Sequence, residues 1–310
     1  MKTAFVFPGQ GAQYVGMAQD YLASMPEFAA ILKDFDTQHG TSLQQIMAEG
    51  PEDILKETRY TQPAILFHSI CALRSFQQKS GLKPDFVAGH SLGEFTALTA
   101  AGVISWQDAM HIVHKRGEFM IKANAGTPFA MAAVIGPEAE AVIAACQEAS
   151  STGLVMAVNF NTPIQTVISG SAEGVSKAGE ILKANGAKRV LPLVVGGPFH
   201  TPMIKDAADW LKAEMDAVTF SQAAMPVVSN VDAMPETDGN SSREKLVRQI
   251  VSPVRWVDCV RYMLQQGVTR FVEFGPQKVL SGMIRTIKSD VEVFSIDKIE
   301  DIDAVVSAIR

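Results

Sequence analysis

The sequence predicts an α/β protein, and three observations carry that prediction. Short β-branched and aromatic runs alternate with helical periods along almost all of the 310 residues, as parallel strands joined by crossover helices require. One stretch departs from the alternation and places two strands, 154–160 and 164–170, next to each other. A G-x-S-x-G turn, Gly89-His90-Ser91-Leu92-Gly93, joins a short apolar run to a helical one.

Residues 3–7 (TAFVF) read as the first strand, and the glycine-rich turn FPGQGAQ after it opens a helix. Pro26 and Pro51 suit first helical positions, each beside an acidic residue. Asp85–Ala88 reads as the strand that feeds the serine turn. Residues 129–136 then read as a strand and 137–149 as an Ala-rich helix. The strands 154–160 and 164–170 flank a Thr-Pro turn, 173–185 reads as a helix and 188–195 as a strand. The order β-α-β-β-α-β is the ferredoxin-like motif. Gly126 before it and Gly196-Gly197-Pro198 after it are hinge candidates. The expected organisation is a large domain, 1–125 plus 196–310, carrying an inserted small one at 126–195. Three more strands are expected at 227–230, 269–274 and 291–296. Ser241 with Glu244 fits a capping box before KLVRQI, and Pro253 ends or restarts that helix by disfavouring helical backbone at Ser252.

Composition excludes several function classes. Hydrophobic residues at 47% and charged ones at 19% are an ordinary globular mixture. No run approaches the roughly eighteen apolar residues of a membrane span, and the first apolar run is too short for a signal peptide. A cytoplasmic chain, expected to be a monomer, follows. Cys71, Cys146 and Cys259 form no CxxC pair, and the six histidines show no metal-ligand spacing with them. Reduced core thiols are expected, with no metal and no cofactor. A net charge of −6 without a basic run argues against nucleic acid.

Ser91 is the candidate nucleophile. Gly89 and Gly93 leave room for a tight strand-to-helix turn that points Oγ outward and aims the Leu92 amide at the same space. The plainer alternative is a serine that caps a helix. A serine needs a base. His90 should point away from its neighbour, His39 falls in a polar loop, and His111 and His114 lie on the helix after Ser105. His200 remains, at the exit of the small domain, with a histidine of no role at a helix start as the alternative. No histidine follows it, and the acids between Ser91 and His200 fall mostly on helices or in the small domain. A Ser–His dyad oriented by a backbone carbonyl is therefore expected in place of a triad. The turn FPGQGAQ lacks the G-x-G-x-x-G spacing of a dinucleotide site, but its amides suit an oxyanion, with Gln10 as the natural donor. Arg116 shares the apolar face of its helix with Met110, Val113 and Met120, so it needs an anionic partner. That partner is either a structural carboxylate or a substrate's. Gln249 shares a face with Leu246 and Ile250, as a buried amide with core or site partners.

FPGQGAQ, GHSLGEF, the arginine of HKRGEFM, VNFNTP, GPFH and QIVSPVRW come in the order found in malonyl-CoA:acyl carrier protein transacylases. The chain resembles that family from Phe7 to about Leu280. The resemblance implies an α/β-hydrolase-like large domain with an inserted ferredoxin-like one, and ping-pong transfer for fatty acid synthesis. Ser91, activated by His200, would take malonyl from malonyl-CoA and pass it to the phosphopantetheine thiol of acyl carrier protein. Backbone amides of Gln10 and Leu92 would hold the oxyanion, Arg116 the malonyl carboxylate, and the Gln249 carbonyl the histidine. Asn159 matches a position near the cleft. Phe199 matches the phenylalanine that accompanies malonyl, whose ring leaves less room for an α-methyl. Phe95-Thr96 departs mildly from the family's wording. A stand-alone polyketide acyltransferase and a plain serine hydrolase are the competing readings. An acidic carrier needs a local basic patch on an acidic enzyme. Lys188 and Arg189, or Lys278, Arg285 and Lys288, are the candidates.

Overall fold

The computed structural model describes residues 1–124 and 126–309, so the domain-end residues Ala125 and Arg310 lie outside the described residues. The described residues form ten strands: β1 (Lys2–Phe7), β2 (Phe86–Gly89), β3 (Phe129–Ile135), β4 (Val155–Thr162), β5 (Gln165–Ser171), β6 (Arg189–Pro192), β7 (Val227–Val228), β8 (Pro235–Glu236), β9 (Val268–Phe274) and β10 (Glu292–Ile296). They form two sheets. The first runs β10-β9-β1-β2-β7-β8. It is parallel except for β8, which pairs antiparallel with β7.

β1 explains why this sheet is central. Every residue from Thr3 to Phe7 is buried, as a parallel strand covered on both faces should be. Its side chains alternate between two cores. Phe5 and Phe7 pack with Phe76 and Phe274, with the Phe5 and Phe274 rings 4.8 Å apart. Ala4 and Val6 face Trp256, Val260 and Met263 on the other side. The two helical layers over this sheet therefore follow from the period of two in one strand.

The second sheet runs β4-β5-β3-β6, all antiparallel. The helices Ala139–Ala149 and Ala172–Ala184 cover one face, over Val134 and Ile168. Met131, Val158 and Val167, on the other face, join the main core. The edge strand β4 is stitched to the first unit by hydrogen bonds from Phe160 N to Val254 O (2.9 Å) and Val254 N to Val158 O (2.8 Å). The sheet thus presents its open face to the end of β2.

Five local expectations need correction. The turn FPGQGAQ does not open a helix: residues 8–18 run as turns and loop, and the first helix is Gln19–Ser24. Pro51 is the N-cap of the helix Glu52–Leu55 and not its first residue. The helix Gly239–Gln249 is capped by Asp238, whose carboxylate accepts from Ser241 N (2.8 Å). Asp238 precedes Ser241 and is itself a strong acceptor for first-turn amides, so Ser241 sits inside the helix and donates to Glu236 instead. His39 is not in a loop: its helix, Pro26–His39, runs on to Gly40, which ends it at φ 61°. The strand expected to reach residue 195 is shorter, Arg189–Pro192, with one further ladder hydrogen bond beyond it, from Leu193 N to Met131 O (2.9 Å).

Cys71, Cys146 and Cys259 are free and buried. Among the described residues no helix is long and apolar enough to cross a membrane, and no cluster of His, Cys, Asp and Glu is built to hold a metal ion.

Candidate active site

β2 delivers the chain to Gly89, and the helix Leu92–Ala100 starts three residues later. Ser91 makes that turn at φ 51° and ψ −104°, a conformation that non-glycine residues rarely hold. The neighbours explain how it is held. A Cβ at Gly93 would overlap the Phe7 carbonyl oxygen, and one at Gly89 would overlap the Gly93 carbonyl. Glycine at both places lets β2, β1 and the helix meet. Asn230, just after β7, clamps the turn: Ser91 N donates to its Oδ1 (2.7 Å), and its Nδ2 donates to Gly89 O (2.7 Å).

His200 also has positive φ, 62°, just ahead of the short 3-10 turn Pro202–Ile204. Its Nε2 lies 2.9 Å from Ser91 Oγ and its Nδ1 2.8 Å from the backbone oxygen of Gln249. A carbonyl can only accept, so Nδ1 carries the proton and Nε2 is free to receive one from the serine. Burial, then the charge of Arg116, push this imidazole down to about 3. It is therefore neutral in the resting site, with Nε2 unprotonated. His90 turns away from Ser91 and hydrogen-bonds Asn161 Oδ1 at 2.8 Å.

Arg116 comes from the helix Trp106–Lys122 and is 1% exposed. Its Nη1 donates to Gln62 Oε1 (2.8 Å), and its Nη2 donates to both Ser91 Oγ (3.0 Å) and Gln249 Oε1 (3.0 Å). All three acceptors are neutral. Among the described residues no carboxylate oxygen comes within 4.0 Å of this guanidinium. No structural carboxylate therefore pairs with it directly, and Glu94 reaches it only through Gln249. Burial pulls the group down to about 9, against the opposing charge of Glu94, so it remains a cation at neutral pH. Its Nε has no acceptor.

Ser91, His200 and Arg116 line one cavity of about 120 Å³, together with Gln10, Leu92, Asn159 and Phe199. Leu92 is the first residue of its helix, so its amide has no acceptor within that helix. The Gln10 side chain donates to Thr58 Oγ1 (3.4 Å). Asn159 Oδ1 is buried without a partner. A larger groove, about 620 Å³, runs past Arg255 and Arg261 and includes none of these residues.

Lys188 and Arg189 are exposed at the start of β6, whose far end leads into the cavity-lining Leu193 and Val195. Lys278 and Lys288 flank the helix Val279–Ile287 and Arg285 lies in its last turn; none of the three lines the cavity. Two of these are already engaged: Arg285 donates to Val293 O (2.8 Å) and Lys288 pairs with Asp290 (3.0 Å).

Sequence reasoning missed Asn230, Glu94, Gln62 and Asn161. Asn230 lay at the C-terminal end of a parallel strand, where sites gather, and that position was its only signal. Glu94 sat inside the elbow motif, but nothing in the local pattern said it was buried. Gln62 was hidden in a long helix, Thr58–Lys79, buried along most of its length.

The acyl transferase domain model matches residues 4–305. The malonyl CoA-acyl carrier protein transacylase of Bacillus subtilis (strain 168) is 42% identical over 310 residues, covering 100% of this chain and 98% of that one. The transacylase of the same name from Escherichia coli (strain K12) is 45% identical over 284 residues, covering 92% of each. Among solved structures, an acyl-carrier-protein S-malonyltransferase from Burkholderia pseudomallei 1710b superposes with TM-score 0.95 at 41% identity, covering 99% of this chain and 100% of that one. A malonyl-transacylase in complex with a type II PKS acyl-carrier protein gives TM-score 0.95 at 38% identity, with the same coverage. With a serine on a strained elbow, a carbonyl-oriented histidine and full-length similarity to these proteins, the chain belongs to the malonyl CoA-acyl carrier protein transacylase family.

Proposed function

We propose that the protein transfers malonyl from malonyl-CoA to the phosphopantetheine thiol of acyl carrier protein, for fatty acid synthesis. One observation carries this reading. A buried cation without a carboxylate partner touches the nucleophile candidate itself, with Arg116 Nη2 3.0 Å from Ser91 Oγ. A site that bound neutral acyl groups would gain nothing from burying that charge.

In the proposed mechanism Ser91 Oγ attacks the thioester carbonyl carbon while His200 Nε2 takes its proton. The carbonyl oxygen becomes an oxyanion facing the amides of Gln10 and Leu92. The C–S bond breaks, coenzyme A leaves as the thiol with the proton from His200, and malonyl-Ser91 remains. The carrier thiol then gives its proton to His200 and attacks the ester. Ser91 is released and recovers its hydroxyl proton. Arg116 holds the malonyl carboxylate throughout, and Phe199 closes the wall against an α-methyl. Asn159 brings an unpartnered oxygen to the acyl cavity. The thioester is itself the activated donor, so the scheme calls for no cofactor.

The proposed scaffold is α/β-hydrolase-like over 1–125 and 196–310, with a ferredoxin-like insertion at 126–195. The β-α-β-β-α-β order of the second sheet supports the insertion. Lys188 and Arg189 are the proposed carrier contacts. About four residues of strand, roughly 13 Å at ~3.3 Å each, separate Arg189 from the cavity-lining Leu193. The test is incubation of the protein with malonyl-CoA and holo carrier protein. Malonyl-carrier as the main product supports transfer. Free malonate as the main product would make the protein a hydrolase.

A further inference from the structure

Two buried ionisable groups lie beside Ser91 without touching each other: Arg116, 1% exposed, and Glu94, 2% exposed. One amide joins them. Gln249 Oε1 accepts from Arg116 Nη2 (3.0 Å), and Gln249 Nε2 donates to Glu94 Oε2 (2.7 Å). The same Nε2 lies 3.0 Å from the Ser91 carbonyl, and the Gln249 backbone oxygen receives His200 Nδ1–H. Glu94 Oε2 also accepts the backbone N–H of Asn230 (3.1 Å), the residue that clamps the elbow.

An amide is directional. With Nε2 committed to the carboxylate, Oε1 must face the guanidinium. A carboxylate in direct contact with Arg116 would close the cation against a second carboxylate. A carboxylate one amide away leaves donors free for substrate and still sets an opposite charge in the same low-dielectric region. Burial raises the Glu94 carboxyl above its ordinary range, while its N–H donors favour the ionised form.

We infer that Glu94 is a positioning residue for acyl selection, a buried counter-charge relayed to Arg116 through Gln249 that orients the amide hub and moderates the pull of the guanidinium on the substrate carboxylate. The inference rests on the malonyl-transfer reading and adds a residue that contacts neither substrate nor nucleophile side chain.

The test compares E94Q, E94D and E94A in transfer from malonyl-CoA and from acetyl-CoA. E94Q keeps an oxygen for Gln249 Nε2 and Asn230 N but loses the charge. Its malonyl-to-acetyl ratio of kcat/KM should rise by about threefold or more, through a lower KM for malonyl-CoA, because a like charge has left the region of the substrate carboxylate. E94D keeps the charge and should keep the wild-type ratio even where its stability falls. E94A frees the Gln249 amide, and kcat should fall by about tenfold or more for both donors. A folded E94Q whose ratio stays within about twofold of wild type would overturn the counter-charge. A ratio shifted as far in E94D as in E94Q would overturn it too. A wild-type protein that fails to transfer malonyl would instead remove the underlying functional reading. Normal transfer with an unresponsive E94Q removes only this inference.

Discussion

Arg116→Ala separates the functional and structural consequences of one buried charge. The substitution removes three hydrogen bonds, to Gln62, Gln249 and Ser91. Two buried amide oxygens lose their donor, each costing about 1–3 kcal/mol. Against this, a desolvated cation with no carboxylate in contact also disappears, and such burial costs several kcal/mol. The two effects oppose each other, so the thermal midpoint should move by less than about 5 °C. Malonyl transfer loses much more. A hydrogen bond to a charged group contributes about 1.5–3 kcal/mol, and each ~1.4 kcal/mol is tenfold in rate. A fall of about ten- to a thousand-fold in kcat/KM for malonyl-CoA follows. Acetyl-CoA has no carboxylate, should escape that fall and gains from the loss of an unmatched cation. The assay is kcat/KM for both donors beside a melting curve. A large drop in midpoint with an unchanged malonyl-to-acetyl ratio would refute the reasoning.

Three more predictions concern the dyad, acid stability and the carrier. His200, held down to about 3 by burial and by Arg116, stays neutral well below the ordinary 6.5; kcat/KM for malonyl-CoA should therefore show no acid limb near 6.5, and His200→Ala should lower acylation by about two or more orders of magnitude at every pH. The same depression has a stability sign. The folded chain refuses protons that the unfolded chain binds, so stability is complete above about 6.5 and falls as pH drops toward the folded values, with His39, lowered to about 4 by burial, adding to the fall. Acid titration of the folding midpoint checks this, and a midpoint flat from pH 7 to below the folded values would contradict it. Arg189→Glu should weaken transfer to the carrier and flatten its salt dependence while leaving acylation by malonyl-CoA unchanged; equal losses in both half-reactions would rule out that patch.

The mixed α/β character was legible because strand and helix periods differ, and β1 alone shows it with alternate side chains in two cores. The elbow was legible because close packing admits only glycine at Gly89 and Gly93, and that requirement is written in the sequence itself. The burial of Arg116 was legible from its helical face, but its partners were not. They come from Gln62 and Gln249, far away in sequence, and spacing along one helix says nothing about what packs against it. Asn230 was illegible for the same reason: it lies 139 residues beyond the serine amide it holds. The capping box at Ser241 misled because two acceptors competed for one helix start and Asp238 came first.

The central claim is that Ser91 carries the malonyl group between two thiols. Incubation with malonyl-CoA alone, followed by peptide mass mapping, tests it most directly. The account predicts one malonyl group per chain, on the peptide that contains Ser91, discharged when holo carrier protein is added and absent from Ser91→Ala. A malonyl adduct that forms at its usual rate in Ser91→Ala, or that maps to another peptide, would contradict it.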